Sequence, residues 1–152
     1  MFSNKRTLIT GISGFVGSHL AKYLLDNGNE VFGLLRRRAD GSMPKNLVNE
    51  RIYDQIHVME GDILDISNIG SALEVAKPDI VFHLAAQSFI PPSFENPLAT
   101  LMTNSVGTAN LLESIRLKNL DPMVVFAGSS EEYGLVFSSQ LQYSRALKNM
   151  DA

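Results

Sequence analysis

Four short segments stand out for the chemistry their side chains and backbone allow. The first is Thr10-Gly11-Ile12-Ser13-Gly14-Phe15-Val16-Gly17, with a glycine at every third position from Gly11. The second is Arg36-Arg37-Arg38, the third His83-Leu84-Ala85-Ala86-Gln87-Ser88, and the fourth Ser129-Ser130-Glu131. Glycines after an apolar run let a chain turn sharply and bring backbone close to an anion. Guanidinium forks bind phosphate bidentately. Hydroxyls can hydrogen-bond a substrate oxygen, and a carboxylate beside them can move a proton on carbon.

Periodicity gives the secondary structure around these segments. Thr7-Leu8-Ile9 lies in a strand over about residues 5–10, and an amphipathic helix comes next over about 15–27. Val16, Leu20, Ala21, Leu24 and Leu25 are expected on its buried face, with Gly28 at its C-terminal cap. A second strand spans about 30–35, and a long polar connection runs from Arg36 to about Asp54. A short third strand, about 56–60, ends at Gly61-Asp62. The next helix, about 66–76, carries Ile66, Ile69, Leu73 and Ala76 at helical spacing. The run over 79–84 reads as a strand covered on both faces. A loop then holds Pro91-Pro92. Asn96-Pro97 reads as an N-cap with proline in the first turn. The helix it starts is expected to continue to about Asn119 on a stripe of Leu98, Leu101, Met102, Ala109, Leu112 and Ile115. A fifth strand covers about 123–127.

Strand and helix alternate, and parallel strands need right-handed crossovers. The fold class is therefore α/β, a doubly wound parallel sheet of order 3-2-1-4-5. Its ligand crevice lies where the order reverses, between strands one and four. All four chemical segments fall at carboxyl ends of strands, on one rim of the sheet.

At 152 residues the chain is one domain, able to bury roughly 70% of its unfolded surface. Its 45% apolar and 19% charged content is that of a soluble globular protein. A net charge of -3 makes no case for nucleic acid or an anionic membrane as partner. The absence of cysteine excludes disulfides, thiolate catalysis and Cys-type zinc sites. No apolar run reaches the roughly 18 residues a membrane span needs. The first strand begins by about residue 5, leaving no room for a signal peptide, and a cytoplasmic location is expected. His19, His57 and His83 show no metal-ligand spacing, and no metal is expected. His83, ending an apolar strand, reads as a satisfied core histidine rather than a catalyst.

A strand, a glycine turn and a helix start, in that order, make a dinucleotide pyrophosphate site from residues 11–17. Gly11 serves the turn, Gly14 the approach to phosphate, and Gly17 the packing of helix on strand. An NAD-binding protein places an acid about 20 residues beyond the glycines, for the ribose 2′-hydroxyl. Arg36 and Arg37 stand there instead, and the first acid after them is Asp40, which favours NADP over NAD. Asp62 can accept from the adenine amino group or cap a helix, and the two roles are compatible. Ser129, Ser130 and Glu131 either face a substrate or cap and solvate the next turn.

Taken together, the chain resembles the extended short-chain dehydrogenase/reductases, the NAD-dependent epimerase/dehydratase family that remodels nucleotide sugars. The resemblance rests on residues 10–17, Gly61-Asp62-Ile63, residues 83–88, residues 104–113 and residues 129–134, and covers almost everything from Lys5 to Gly134. Ala85-Ala86-Gln87-Ser88, the arginines and Ser129-Ser130-Glu131 resemble the GDP-mannose 4,6-dehydratase branch. Ser-Ser-Glu-Glu-Tyr-Gly also resembles the GDP-4-keto-6-deoxymannose reductase branch.

The resemblance implies a cofactor wall of residues 11–17, Arg36, Arg37, Asp62, Ile63, Leu84, Ala85, Ala86 and Ser88, and a GDP-hexose substrate. In a dehydratase, NADP+ takes hydride from C4 of the hexose, Glu131 removes the C5 proton, water leaves from C6, and hydride returns there. Ser129 would bond the C4 oxygen, with Ser130 in support. In a reductase, NADPH would deliver hydride to a C4 ketone. The superfamily's Tyr-x-x-x-Lys is absent: Tyr143 and Lys148 are five residues apart, and Leu147 stands where lysine is needed. On a helix, that spacing turns the two side chains roughly 140° apart. Residues 1–134 are therefore read as an NADP-binding Rossmann domain and 135–152 as a tail without a substrate domain. The chain is read as the cofactor half of such an enzyme, inactive by itself, or as a non-catalytic dinucleotide-binding module. Apolar surface on the strand-five side is expected to make it a homo-oligomer.

Overall fold

The computed structural model describes residues 3–37 and 39–129. Strands β1 (Arg6–Thr10), β2 (Glu30–Leu35), β3 (His57–Glu60), β4 (Ile80–His83) and β5 (Met123–Phe126) form one sheet in the order β3-β2-β1-β4-β5. Every pairing is parallel, and Thr10 at the end of β1 lies between Leu34 and His83. The expected doubly wound topology is present, and its order reverses between β1 and β4.

Successive side chains of a strand point to opposite faces, and here each face has its own core. Ile9, Val31, Ile80 and Phe82 pack with Ala21 and Leu24 of helix α1 (Phe15–Asp26). Leu8, Phe32, Leu34 and Val81 pack on the other side with Ile69 and Leu73 of α3 (Ile66–Ala76) and Leu111 of α6 (Gly107–Leu117). β4 is buried along its whole length, as a strand covered on both faces must be.

Several expected details are corrected. Of the expected face of α1, Ala21 and Leu24 are buried and Leu20 and Leu25 pack partly buried on the same core, but Val16 is exposed and Gly17 and Ser18 are buried instead. The backbone at Gly17 lies directly on Ile12, which rotates Val16 toward the cleft above the sheet. The polar connection after β2 contains α2 (Lys45–Asn49) and a 3-10 turn at Tyr53–Gln55. Leu47 and Ile52 anchor it as buried members of the α1-side core. The segment with Pro91-Pro92 is helix α4 (Ile90–Glu95), because a first turn has no use for the missing N–H. Ile66 starts α3 but faces outward.

The helix after Asn96 is interrupted. Asn96 caps α5 (Pro97–Leu101) by accepting from the Ala99 N–H at 3.1 Å, as its sequence suggests. A π-helical stretch, Met102–Val106, then precedes α6. A π turn holds an extra residue and rotates the faces of the helix beyond it. Ala109 and Leu112 beyond it are consequently exposed, Leu98, Leu101 and Met102 are exposed as well, and only Ile115 of the expected stripe is half-buried. Gly107, Leu111 and Ser114 face the core instead. A Cβ on Gly107 would stand 2.6 Å from the Ile63 Cδ1, so the Ile63 side chain would have to shift to admit one.

Among the described residues, no helix is long and apolar enough to cross a membrane. Residues 130–152, which include the expected tail, lie outside the described part. Leu98 and Leu101 on α5, with Met123 and Phe126 on β5, leave large apolar side chains exposed. The chain should therefore self-associate, giving sedimentation coefficients that rise with concentration, and Leu101→Glu should weaken that rise. A concentration-independent monomer would count against association through these side chains.

Candidate functional site

The carboxyl ends of β1, β2 and β4 open into a cleft of about 680 Å³. Its floor is the glycine turn. Gly11 sits at φ +73°, and a Cβ there would stand 2.7 Å from the Ala85 nitrogen and 2.8 Å from the Leu84 carbonyl carbon. A Cβ on Gly17 would collide with the Gly11 carbonyl oxygen and the Ile12 backbone. Internal packing thus accounts for both. Gly14 differs: a Cβ there would have one close neighbour, the Gly11 oxygen at 3.2 Å, and the residue lines the cleft. The Gly14 N–H donates to that oxygen at 3.0 Å, and the Ser18 N–H donates to the Gly14 carbonyl at 3.0 Å to start α1.

No side chain caps the N-terminus of α1, and its first turn holds no acid. Its leading N–H groups and the helix dipole face the cleft together, an arrangement that favours an anion. Ser13, Phe15 and Val16 line the cleft beside Gly14, whereas Ile12 is fully buried beneath the turn. The turn is also held from α2: the Asn46 side-chain amide donates to the Ser13 carbonyl at 2.8 Å. His19 and Glu50 approach to 3.2 Å nearby. The glycine motif by itself carries no sign of this brace.

Beyond the turn, Arg36 and Arg37 line the cleft and an adjoining hollow of about 400 Å³. Glu60, Asp62 and Asn68 share that hollow. The Arg37 Nε lies 3.8 Å from the Glu60 carboxylate, with both side chains mostly exposed, so the pair is weak. No acid follows β2 directly in the chain, yet β3 supplies one in space, because Leu35 pairs with Glu60. Arg38 lies outside the described residues. Asp62 Oδ1 accepts from the Leu64 N–H at 2.9 Å, within its own turn. The cap of α3 is Asp65, which accepts from Ser67 at 2.8 Å and Asn68 at 3.3 Å. Ile63 and Leu64 complete this wall.

The opposite wall is Leu84, Ala85, Ala86 and Ser88, with Thr103 from the π-helical stretch. Beneath it, His83 is 2% exposed. Its Nδ1 lies 2.7 Å from Thr10 Oγ1 and its Nε2 lies 3.0 Å from Thr108 Oγ1. Burial holds its pKa below the ordinary histidine value, so the folded ring is neutral. The unfolded chain binds that proton more readily, and this group therefore subtracts stability as pH falls below the ordinary value. The core reading of His83 agrees with these contacts.

Ser129 is exposed beyond β5 and is not among the residues lining the cleft. Ser130 and Glu131 lie outside the described residues. Among the described residues, no group of three or more His, Asp or Glu side chains could hold a metal ion.

The two kinds of glycine separate in mutation. Gly17→Ala should cost about 1–3 kcal/mol of stability through overpacking, read from denaturant midpoints. Gly14→Ala should change stability by less than about 1 kcal/mol and instead weaken dinucleotide binding about tenfold, since it fills the space a phosphate would use. Equal effects of the two on both measurements would contradict this division.

Residues 8–147 match the family model described as GDP-mannose 4,6 dehydratase. The GDP-mannose 4,6-dehydratase of Vibrio cholerae is 41% identical over 141 residues, covering 87% of this chain and 37% of that protein. GDP-mannose 4,6 dehydratase 1 of Arabidopsis thaliana is 38% identical over 141 residues, covering 86% of this chain and 38% of that protein. Among solved structures, the UDP-glucose 4-epimerase of Thermus thermophilus in complex with NAD is 29% identical, with a TM-score of 0.67 over 82% of this chain and 37% of that one. The chain thus spans well under half the length of these relatives. The matched residues run from β1 through the glycine turn and beyond β5, and the chain belongs to the GDP-mannose 4,6-dehydratase family.

Proposed function

We propose that this chain is the NADP-binding half of a nucleotide-sugar dehydratase acting on a GDP-hexose. The observation that carries this reading is the continuous cleft from Arg36 and Arg37, over an uncapped helix N-terminus, to residues 84–88. The residues fit a dinucleotide. Gly14 leaves open space where a Cβ would intrude, and the α1 N–H groups suit a pyrophosphate. Two guanidiniums on the β2 side suit a 2′-phosphate, and the exposed Arg37–Glu60 pair at 3.8 Å is weak enough to yield to one. The volume lies within the roughly 300–1,000 Å³ of small-molecule sites.

When bound, NADP+ supplies the hydride acceptor and donor for oxidation at sugar C4 and reduction at C6. Arg36 and Arg37 hold the 2′-phosphate, and Asp62 faces the adenine. Leu84, Ala85, Ala86 and Ser88 seat the nicotinamide end. Ser129 bonds the C4 oxygen, Ser130 supports it, and Glu131 takes the C5 proton and passes it to the C6 hydroxyl, which leaves as water. Family membership supports the nucleotide-sugar reading as a whole, and the individual roles follow from the resemblance of the motifs quoted above.

A binding-only behaviour of these 152 residues is favoured by one observation: Tyr143 and Lys148 stand five apart, with Leu147 where a Tyr-x-x-x-Lys pair needs lysine. Loss of a general acid or base alone costs about 10²–10⁴ in rate.

Two results test the reading. Arg36→Asp should lower NADP+ affinity at least about tenfold, the scale of one charge-assisted hydrogen bond, while NAD+ affinity holds or rises. Unchanged relative affinities in a calorimetric titration would remove the case for NADP. The purified chain should bind NADP+ yet form no 4-keto sugar from GDP-mannose in a coupled chromatographic assay. Measurable product would show that the Tyr-x-x-x-Lys pair is dispensable here.

A further inference from the structure

We infer that His83 is a positioning residue: as a neutral imidazole protonated on Nε2, it ties residues 84–88 to the end of β1 and so sets how the nicotinamide half of a dinucleotide is seated. The second half of that statement rests on the dinucleotide reading of the cleft, and the first does not.

The directions of the hydrogen bonds are fixed by their donors. The Thr108 hydroxyl donates to the Asn104 carbonyl at 2.7 Å, so its oxygen can only accept from His83. The proton of His83 is therefore on Nε2. Its Nδ1 then carries a lone pair and accepts the Thr10 hydroxyl hydrogen at 2.7 Å. The Thr10 oxygen in turn accepts from the Ala85 N–H at 3.2 Å. At the other end, the Gln87 N–H donates to Asn104 Oδ1 at 2.7 Å, and Asn104 Nδ2 donates to the Gln87 carbonyl at 3.0 Å. Residues 84–88 are thus gripped at Ala85 from β1 and at Gln87 from the π-helical stretch, and His83 joins the two grips.

Cohesion alone does not call for a histidine here. The other three residues of β4, Ile80, Val81 and Phe82, are apolar and buried. A polar ring in their place must have both nitrogens satisfied, and this one does. Its surroundings among the described residues are uncharged: β1 presents Thr10, α6 presents Thr108, and β5 presents the Phe126 ring at 5.9 Å. A proton added at Nδ1 would turn the acceptor into a donor and strand the Thr10 hydroxyl hydrogen. The π-helical stretch that spoils the regular helix places Asn104 and Thr103 against this wall, a common use of such turns.

The test uses the whole chain with 15N-labelled histidine, and the variants Thr108→Val and Thr108→Ser. Long-range 15N spectra at neutral pH should show His83 protonated on Nε2 alone, and an Nδ1–H tautomer or an imidazolium overturns the inference. Amide exchange at Ala85 and Gln87 should quicken about tenfold in Thr108→Val and return toward the parent rate in Thr108→Ser. Unchanged exchange also overturns it. Thr108→Val should weaken NADP+ about five- to tenfold while leaving adenosine 2′,5′-bisphosphate, which lacks the nicotinamide half, within about twofold. Equal losses for both ligands, or none for either, overturn the seating role. If the parent chain binds neither ligand, the dinucleotide reading fails and the seating role with it, and the tautomer and exchange results still decide whether His83 sets the segment.

Discussion

Everything on the rim of this sheet depends on how closely three stretches of backbone meet at the end of β1. Gly11 brings its Cα against the Leu84–Ala85 peptide, and Gly17 brings α1 down onto Gly11 and Ile12. No side chain fits into either contact. These two approaches fix where the α1 N-terminus points and how far it stands from the segment after β4. The cleft is the space left between them. A methyl group at either place would push the helix or the segment away, and the anion-binding geometry would go with it.

The two faces of the sheet serve that constraint in different ways. On the α1 side, apolar packing holds the helix in place, and Leu47 and Ile52 draw the connection after β2 back onto the same core. Asn46 can then brace the Ser13 carbonyl from outside the turn. On the α6 side, the corresponding work is polar. Thr10, His83, Thr108, Asn104 and Gln87 form a run of hydrogen bonds from β1 to the cleft wall, and no buried side-chain nitrogen or oxygen among the described residues lacks a partner. A segment gripped through directional bonds has its position set more narrowly than one resting on apolar contact.

The rim also divides by charge. Its β4 side is small and apolar at Leu84, Ala85 and Ala86, and its β2 side carries two arginines facing Glu60 and Asp62. The chain covers only 37–38% of the curated Vibrio and Arabidopsis relatives.

Much of the fold was legible in the residues themselves, because periodicity, glycine and proline act locally. The alternation of strand and helix, the order 3-2-1-4-5 and the cleft at the reversal come from hydrophobic period and the handedness of crossovers. The glycine turn, the Asn96 cap and the burial of His83 were readable for the same reason. Contacts between residues far apart in the chain were settled only once the elements packed. Beyond the π turn the buried face of α6 is Gly107, Leu111 and Ser114 rather than the expected Ala109 and Leu112, and no average of hydrophobicity locates one extra residue in a turn. Glu60 stands beside Arg37 because β3 pairs with β2 in one register. The proton of His83 is placed by Thr108, 25 residues away, and by Thr10, 73 residues away. Sequence set which groups the rim contains, and packing set which of them touch, because a hydrogen bond depends on fractions of an ångström that only the assembled sheet determines.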